Sequence, residues 1–163
     1  MITIEIWDIY DESENKTGRT IERGKKLQDG DYHLVVHIWF VNDSEEFLIQ
    51  KRAEHLKLFP GVWATTGGSA LAGENSKTAA IRETKEELGI EPDINNMKKI
   101  KRIQRKDNFT DIWLVKQNIS LNEINIQEEE VSEVRWVDKK SIIEMTNDGK
   151  FHNYGKDYFK YIL

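Results

Sequence analysis

Glu83, Glu86 and Glu87 stand at i, i+3 and i+4 within the stretch SKTAAIRETKEELG (76–89), a spacing that puts all three carboxylates on one face of an α-helix. Like charges so placed weaken a helix, so the face calls for a strongly positive partner. Hard divalent cations such as Mg2+ or Mn2+ take oxygen ligands, and carboxylates are their usual protein donors. The spacing predicts a helix with Ser76 as N-cap and Gly89 as its stop. Ile81, Thr84 and Leu88 form its expected core stripe. Ala79 and Ala80 are expected to flank the acid face, small enough to let a loop or ligand come close.

The rest of the chain is organised around short strands. TIEIWDIYD (3–11) alternates apolar and polar residues as a half-buried strand does. ESENKTG (12–18) reads as a turn, and RTIERG (19–24) as a returning strand. YHLVVHIWFVN (32–42) is a β-branched and aromatic run, turned by Asn42-Asp43-Ser44 into EEFLIQKRA (45–53), which predicts a hairpin. A loop over 54–62 contains Pro60-Gly61, and a short extended piece from Trp63 to Thr66 leads into Gly67-Gly68. Strands are expected at 98–106 and 111–118 with Asn108 between them, and a further one within 128–138. Helices are expected at 139–147 and 152–162. No repeat or linker interrupts the chain, so residues 1–163 are expected to form one α/β domain.

A formal charge of -5, with both signs interspersed, argues against a general binder of nucleic acid or anionic membranes. An anionic substrate then needs a metal or a local cluster of bases. Cysteine is absent, which excludes disulfides, thiolate metal sites and a cysteine nucleophile and suits a reducing compartment. The first residues carry no basic region followed by an apolar run, and no apolar segment approaches the ~20 residues that span a bilayer. The expected location is cytoplasmic.

Each part of the central stretch has its own chemistry. Gly67-Gly68 lets backbone approach a ligand, and a carbonyl there, with Gly68 as the candidate, completes an oxygen-rich metal shell. Glu86 and Glu87 are the best side-chain ligands, and Glu83 is either a further ligand or the base for an attacking water. Arg82, four residues before Glu86, is placed to hold a carboxylate. Glu74 either pairs with Arg82 or orients a metal-bound water.

Gly68, Glu74, Arg82, Glu83, Glu86, Glu87, Gly89 and Ile90 together resemble the Nudix box, G-x5-E-x7-R-E-U-x-E-E-x-G-U, with U an apolar residue. Thr84 departs from it at the first helical U. RETKEE alone is a commonplace charged helix face. The whole spacing, at the average usage of each residue, arises by chance on the order of 10^-7 times or less per start position. The resemblance implies an α/β/α sandwich on a mixed β-sheet and hydrolysis of a diphosphate linked to another moiety, often a nucleoside, with Mg2+ or Mn2+. It also implies metal binding by Glu83, Glu86 and Glu87, a small-molecule substrate and a homodimer.

The N-terminal half, from EIWDIYDESENKTG to FPGVWATTGGS, is similar to isopentenyl-diphosphate isomerases. Counted from Trp63, their catalytic Cys falls on Gly67, and a His they use falls on Ala70, so isomerase chemistry by that route is disfavoured. His33 matches a metal-binding His of those enzymes and lies on the same strand face as His37. Arg52 is a candidate for a phosphate, Phe59 for a pocket wall, and one glutamate of Glu128–Glu130, with Glu129 as the candidate, for an additional site acid. Trp63 and Trp113 are expected in the core. The two rival functions are a prenyl-diphosphate isomerase and a nucleotide-binding module without catalysis.

Overall fold

The computed structural model describes residues 3–162. A hairpin of β1 (Ile6–Tyr10) and β2 (Lys16–Glu22) precedes a sheet of β3 (His33–Val41), β4 (Glu46–Arg52), β5 (Trp63–Ala64), β6 (Thr66–Ser69), β7 (Met97–Gln104), β8 (Asn108–Lys116) and β9 (Val131–Asp138). Two α-helices, α1 (Ser76–Leu88) and α2 (Lys139–Asn147), cover it.

Side-chain alternation along β3 sets the layers. Leu34, Val36, Ile38 and Phe40 join Ala79, Ala80 and Leu88 of α1 in one core. Trp39, from the opposite face, joins Ile142 of α2 and Phe151, Tyr154 and Tyr158 of the C-terminal segment in a second. The result is the expected α/β/α sandwich. The sheet is mixed: β3 runs parallel to β8 from His33 opposite Asn108 to Val41 opposite Lys116, and antiparallel to β6 from Val35 opposite Ser69 to Ile38 opposite Thr66. Trp63 and Trp113 are buried as expected.

Several expectations are corrected. β3 and β4 do follow one another through a turn, but their pairing is confined to Val41 opposite Phe47; β4 diverges to pair with β9 and β5. The gap so opened beside β6 is where the site lies. Asn75, not Ser76, caps α1: its side chain accepts from the Thr78 amide, and Thr78 answers the Asn75 amide. Ser76 is instead engaged by Trp113 Nε1 at 2.9 Å. Ala79 and Ala80 are fully buried rather than lining an approach to the acid face. Asn108 opens β8 instead of separating two strands. Residues 152–162 form no α-helix, only a 3-10 turn at Tyr158–Tyr161. Gly155, at φ 116, breaks the run, and its aromatic residues pack around Trp39.

Candidate active site

α1 presents its acids at two depths. Glu83 and Glu87 are buried, 8% and 9% exposed, while Glu86 reaches solvent. Arg82 organises them. Its Nε and Nη2 donate to Glu74 Oε2 and Oε1 at 2.7 and 3.0 Å, and its Nη1 donates to Glu83 Oε1 at 3.1 Å and Glu86 Oε2 at 3.0 Å. Nη2 also donates to the Ser69 carbonyl at 3.1 Å, tying β6 to the helix.

Glu87 faces the strands. Its Oε2 accepts from the Gly67 amide at 3.1 Å and its Oε1 from Gln50 Nε2 at 3.4 Å. Gln50 is itself held by Thr66 Oγ1 at 2.8 Å. Burial, and then the neighbouring Glu83, push the Glu87 carboxyl well above the usual range. Burial also pushes Glu83 up to about 7, against the lowering effect of Arg82. Among the described residues no cation pairs with Glu87. Gly68 packs so closely on Glu83 that an added Cβ would lie 2.5 Å from its Cδ.

Two connected hollows adjoin these acids. One, of 340 Å3, is lined by Glu83, Glu86 and Glu87 and by Arg52, Gln127 and Glu130. The other, of 210 Å3, is walled by His37, Phe59, His152 and Tyr154. Arg52, Gly67, Gly68, Ser69 and Glu87 line both, so the hollows form one cleft with an acidic end and an aromatic end.

The NUDIX domain family matches residues 31–158 of the chain, a span that includes β3, the glycines and the whole acid helix. The chain belongs to the Nudix family. An uncharacterized Nudix hydrolase of Listeria monocytogenes is 36% identical over 93% of this chain and 90% of its own. An isopentenyl-diphosphate Delta-isomerase of Mycolicibacterium vanbaalenii is 35% identical over 45% of this chain and 43% of its own. The crystal structure of DR0079 from Deinococcus radiodurans superposes with a TM-score of 0.76 at 19% identity, covering 96% of both chains.

Within this Nudix hydrolase fold, the predicted residues Gly68, Glu74, Arg82, Glu83, Glu86 and Glu87 come together at the acidic end. Arg52 lies at the junction, its Nε donating to the Leu58 carbonyl at 3.1 Å. Phe59 stands at the aromatic end, exposed, with φ 50 and its ring edge-on to His152 at 4.8 Å. Glu129 does not line the cleft; Glu130 does. The turn in which the Glu130 and Val131 amides both donate to the Gln127 carbonyl, while the Gln127 amide donates to the Glu87 carbonyl, swings Glu130 inward. His33 is also absent from the cleft walls. Its ring stacks on Trp7 at 4.1 Å, and its Nδ1 and the Trp7 Nε1 are sealed from solvent with no hydrogen-bond partner among the described residues.

Sequence reasoning missed Gln50, His152, Tyr154 and the Glu5–Arg23 ion pair that the N-terminal hairpin adds to the acidic rim of the Nudix cleft. A signal existed for Gln50, which directly follows the apolar run Phe47-Leu48-Ile49 on a strand. The other contacts join distant parts of the chain.

The donor set suits a hard cation: carboxylate and backbone oxygens, with two buried acids side by side. As the side chains stand, no three acidic or imidazole groups among the described residues converge on one ion position. Arg82 holds Glu83 and Glu86, so ligation requires those carboxylates to turn from the guanidinium toward the cleft.

Proposed function

We propose that this Nudix hydrolase cleaves a diphosphate linked to a planar moiety such as a nucleoside, with Mg2+ or Mn2+. The observation that carries this is the continuity of the cleft. The Glu83, Glu86 and Glu87 end suits cations and a diphosphate, the aromatic end suits a flat attached group, and Arg52 stands where the two meet.

Glu83, Glu86 and Glu87, with the Gly68 carbonyl, would hold the metal, which when bound neutralises diphosphate charge and lowers the pKa of water. Glu83, buried beside Gly68, serves either as one of these ligands or, left free of the metal, as the base for the attacking water. Arg82 and Glu74 position these carboxylates, and Arg52 orients a phosphate. A small metabolite is favoured over nucleic acid by the net charge of -5, and the absence of cysteine favours a cytoplasmic enzyme.

The isomerase alternative takes support from the Mycolicibacterium relative. The chain has no cysteine, and a Cβ would have no room at Gly67, where it would lie 2.5 Å from the Val36 carbonyl, or at Gly68. The deciding experiment incubates the protein and Mg2+ with nucleoside diphosphates, diphosphate-bridged dinucleotides and isopentenyl diphosphate, identifying every product by mass spectrometry. Metal-dependent breakage of a phosphorus–oxygen bond, abolished by a chelator, is the expected result. Formation of the dimethylallyl isomer alone, or binding without cleavage of any compound, overturns it.

A further inference from the structure

The aromatic end of the cleft contains a histidine whose hydrogen is placed by two residues behind it. Tyr158 is buried, and its hydroxyl oxygen accepts from Trp39 Nε1 at 2.9 Å; an indole nitrogen only donates. The hydroxyl's own hydrogen then needs an acceptor. Among the described residues that acceptor is His37 Nδ1, 2.7 Å away. A buried hydroxyl hydrogen left unpaired is costly, so the bond runs from Tyr158 to Nδ1. Nδ1 therefore carries no hydrogen, and the ring's hydrogen sits on Nε2.

The free edge of that ring faces the cleft. His37 lines the aromatic end, and its Nε2 has no partner among the described residues and is not among the sealed, unpartnered atoms. The residue paired opposite it, Gly67, keeps the edge open: a Cβ there would lie 3.1 Å from His37 Cδ2, the carbon bonded to Nε2. The rings of His37, Tyr154, His152 and Phe59 touch in sequence, at 4.8, 4.6 and 4.8 Å between centroids. Tilted or edge-on to one another at 54°, 61° and 82°, they offer separate ring faces and edges rather than one flat wall, and such faces and edges take planar groups.

With the cleft taken as the substrate site proposed above, we infer that His37 is a specificity-determining hydrogen-bond donor, its Nε2–H recognising a carbonyl oxygen or ring nitrogen on a planar heterocycle attached to the diphosphate. Trp39 and Tyr158 are positioning residues that hold its tautomer. A donor set this way favours bases that turn an acceptor toward it and disfavours those that turn an amino group.

Two measurements test this. Long-range 15N–1H NMR of the full chain at neutral pH is expected to show His37 protonated on Nε2 alone, and a tautomer mixture in Tyr158→Phe. Protonation on Nδ1 in the wild type overturns the assignment. Calorimetric titration with ADP, GDP, CDP, UDP and inorganic pyrophosphate, each with Mg2+, is expected to find at least one nucleotide bound more tightly than pyrophosphate. His37→Phe should weaken that nucleotide about tenfold, the loss of one hydrogen bond, and leave pyrophosphate unchanged. His37→Gln, which retains a donor, should recover part of the loss. Equal nucleotide affinities in wild type and His37→Phe overturn the proposal. If the tautomer and the nucleotide contact hold while no diphosphate compound is cleaved, the hydrolase function fails and the His37 assignment stands.

Discussion

Arg82 grips Glu74 with two parallel hydrogen bonds, Nε to Oε2 at 2.7 Å and Nη2 to Oε1 at 3.0 Å. The same guanidinium reaches Glu83, Glu86 and the Ser69 carbonyl, so one side chain sets the spacing between β6 and the acid face. Arg82→Lys keeps the charge and loses the fork. Turnover and Mn2+ affinity, the latter read by electron paramagnetic resonance, should fall about ten- to a hundredfold, as when a ligand's supporting contact is removed. Glu74→Gln should lose less. Wild-type activity in Arg82→Lys would remove Arg82 from the positioning role.

Gly68→Ala isolates a steric requirement. The position has no positive φ, so its backbone tolerates a side chain, but the new Cβ would lie 2.5 Å from Glu83 Cδ. Displacing Glu83 by the better part of an ångström should lower kcat about a hundredfold while circular dichroism remains native. An active Gly68→Ala enzyme would show that Glu83 need not stand where it does.

The acid helix was legible because its determinants are local: the i, i+3, i+4 glutamates, the Arg82–Glu86 step and the left-handed stop at Gly89 all lie within one short stretch. The aromatic end was illegible for the opposite reason, since His37 and Tyr158 are 121 residues apart and meet only through the sheet. Glu130 rather than Glu129 lines the cleft because a turn anchored on Gln127 decides which of three adjacent glutamates points inward. In the segment 152–162, Tyr154, Tyr158 and Ile162 recur every four residues, a spacing that a helix would also serve. Packing on Trp39 is served equally well by an irregular path that Gly155 permits.

Glu87→Gln should abolish turnover, by a factor on the order of 10^2 or more, while stabilising the metal-free protein above neutrality. Burial pushes Glu83 up to about 7 and Glu87 well above the ordinary glutamate value of about 4.5. Between about 4.5 and 7 the folded chain therefore holds more protons than the unfolded one. The pair's contribution to stability is full below 4.5 and is lost as pH rises through the folded values, Glu83 alone accounting for on the order of 3 kcal/mol. Mg2+ competes with those protons and should raise the thermal midpoint more above pH 7 than below 4.5. Thermal melts of wild type and Glu87→Gln across this range, with and without Mg2+, check both statements. A Mg2+ effect that is larger in acid contradicts the placement of the metal at these carboxylates.

Stability away from the cleft should depend on a different ion pair. Asp111 is fully buried in β8, and Arg102 of β7 donates to both of its oxygens, Nε to Oδ1 at 2.6 Å and Nη2 to Oδ2 at 2.8 Å. Arg102 also reaches Glu14 in the turn of the N-terminal hairpin at 2.8 Å, joining that hairpin to the sheet. Arg102→Met leaves buried Asp111 with Lys99 alone, 3.9 Å away and half-exposed, and should cost on the order of 3 kcal/mol in urea denaturation. Arg102→Met with Asp111→Leu replaces the whole pair by apolar groups and should recover most of that loss. Glu14→Gln, at a half-exposed end of the network, should cost less than about 1 kcal/mol. Because neither Arg102 nor Asp111 lines the cleft, all three variants should keep turnover at temperatures where they remain folded. A double variant no more stable than Arg102→Met would mean that the pair supplies specific geometry to the β7–β8 edge that apolar packing does not replace.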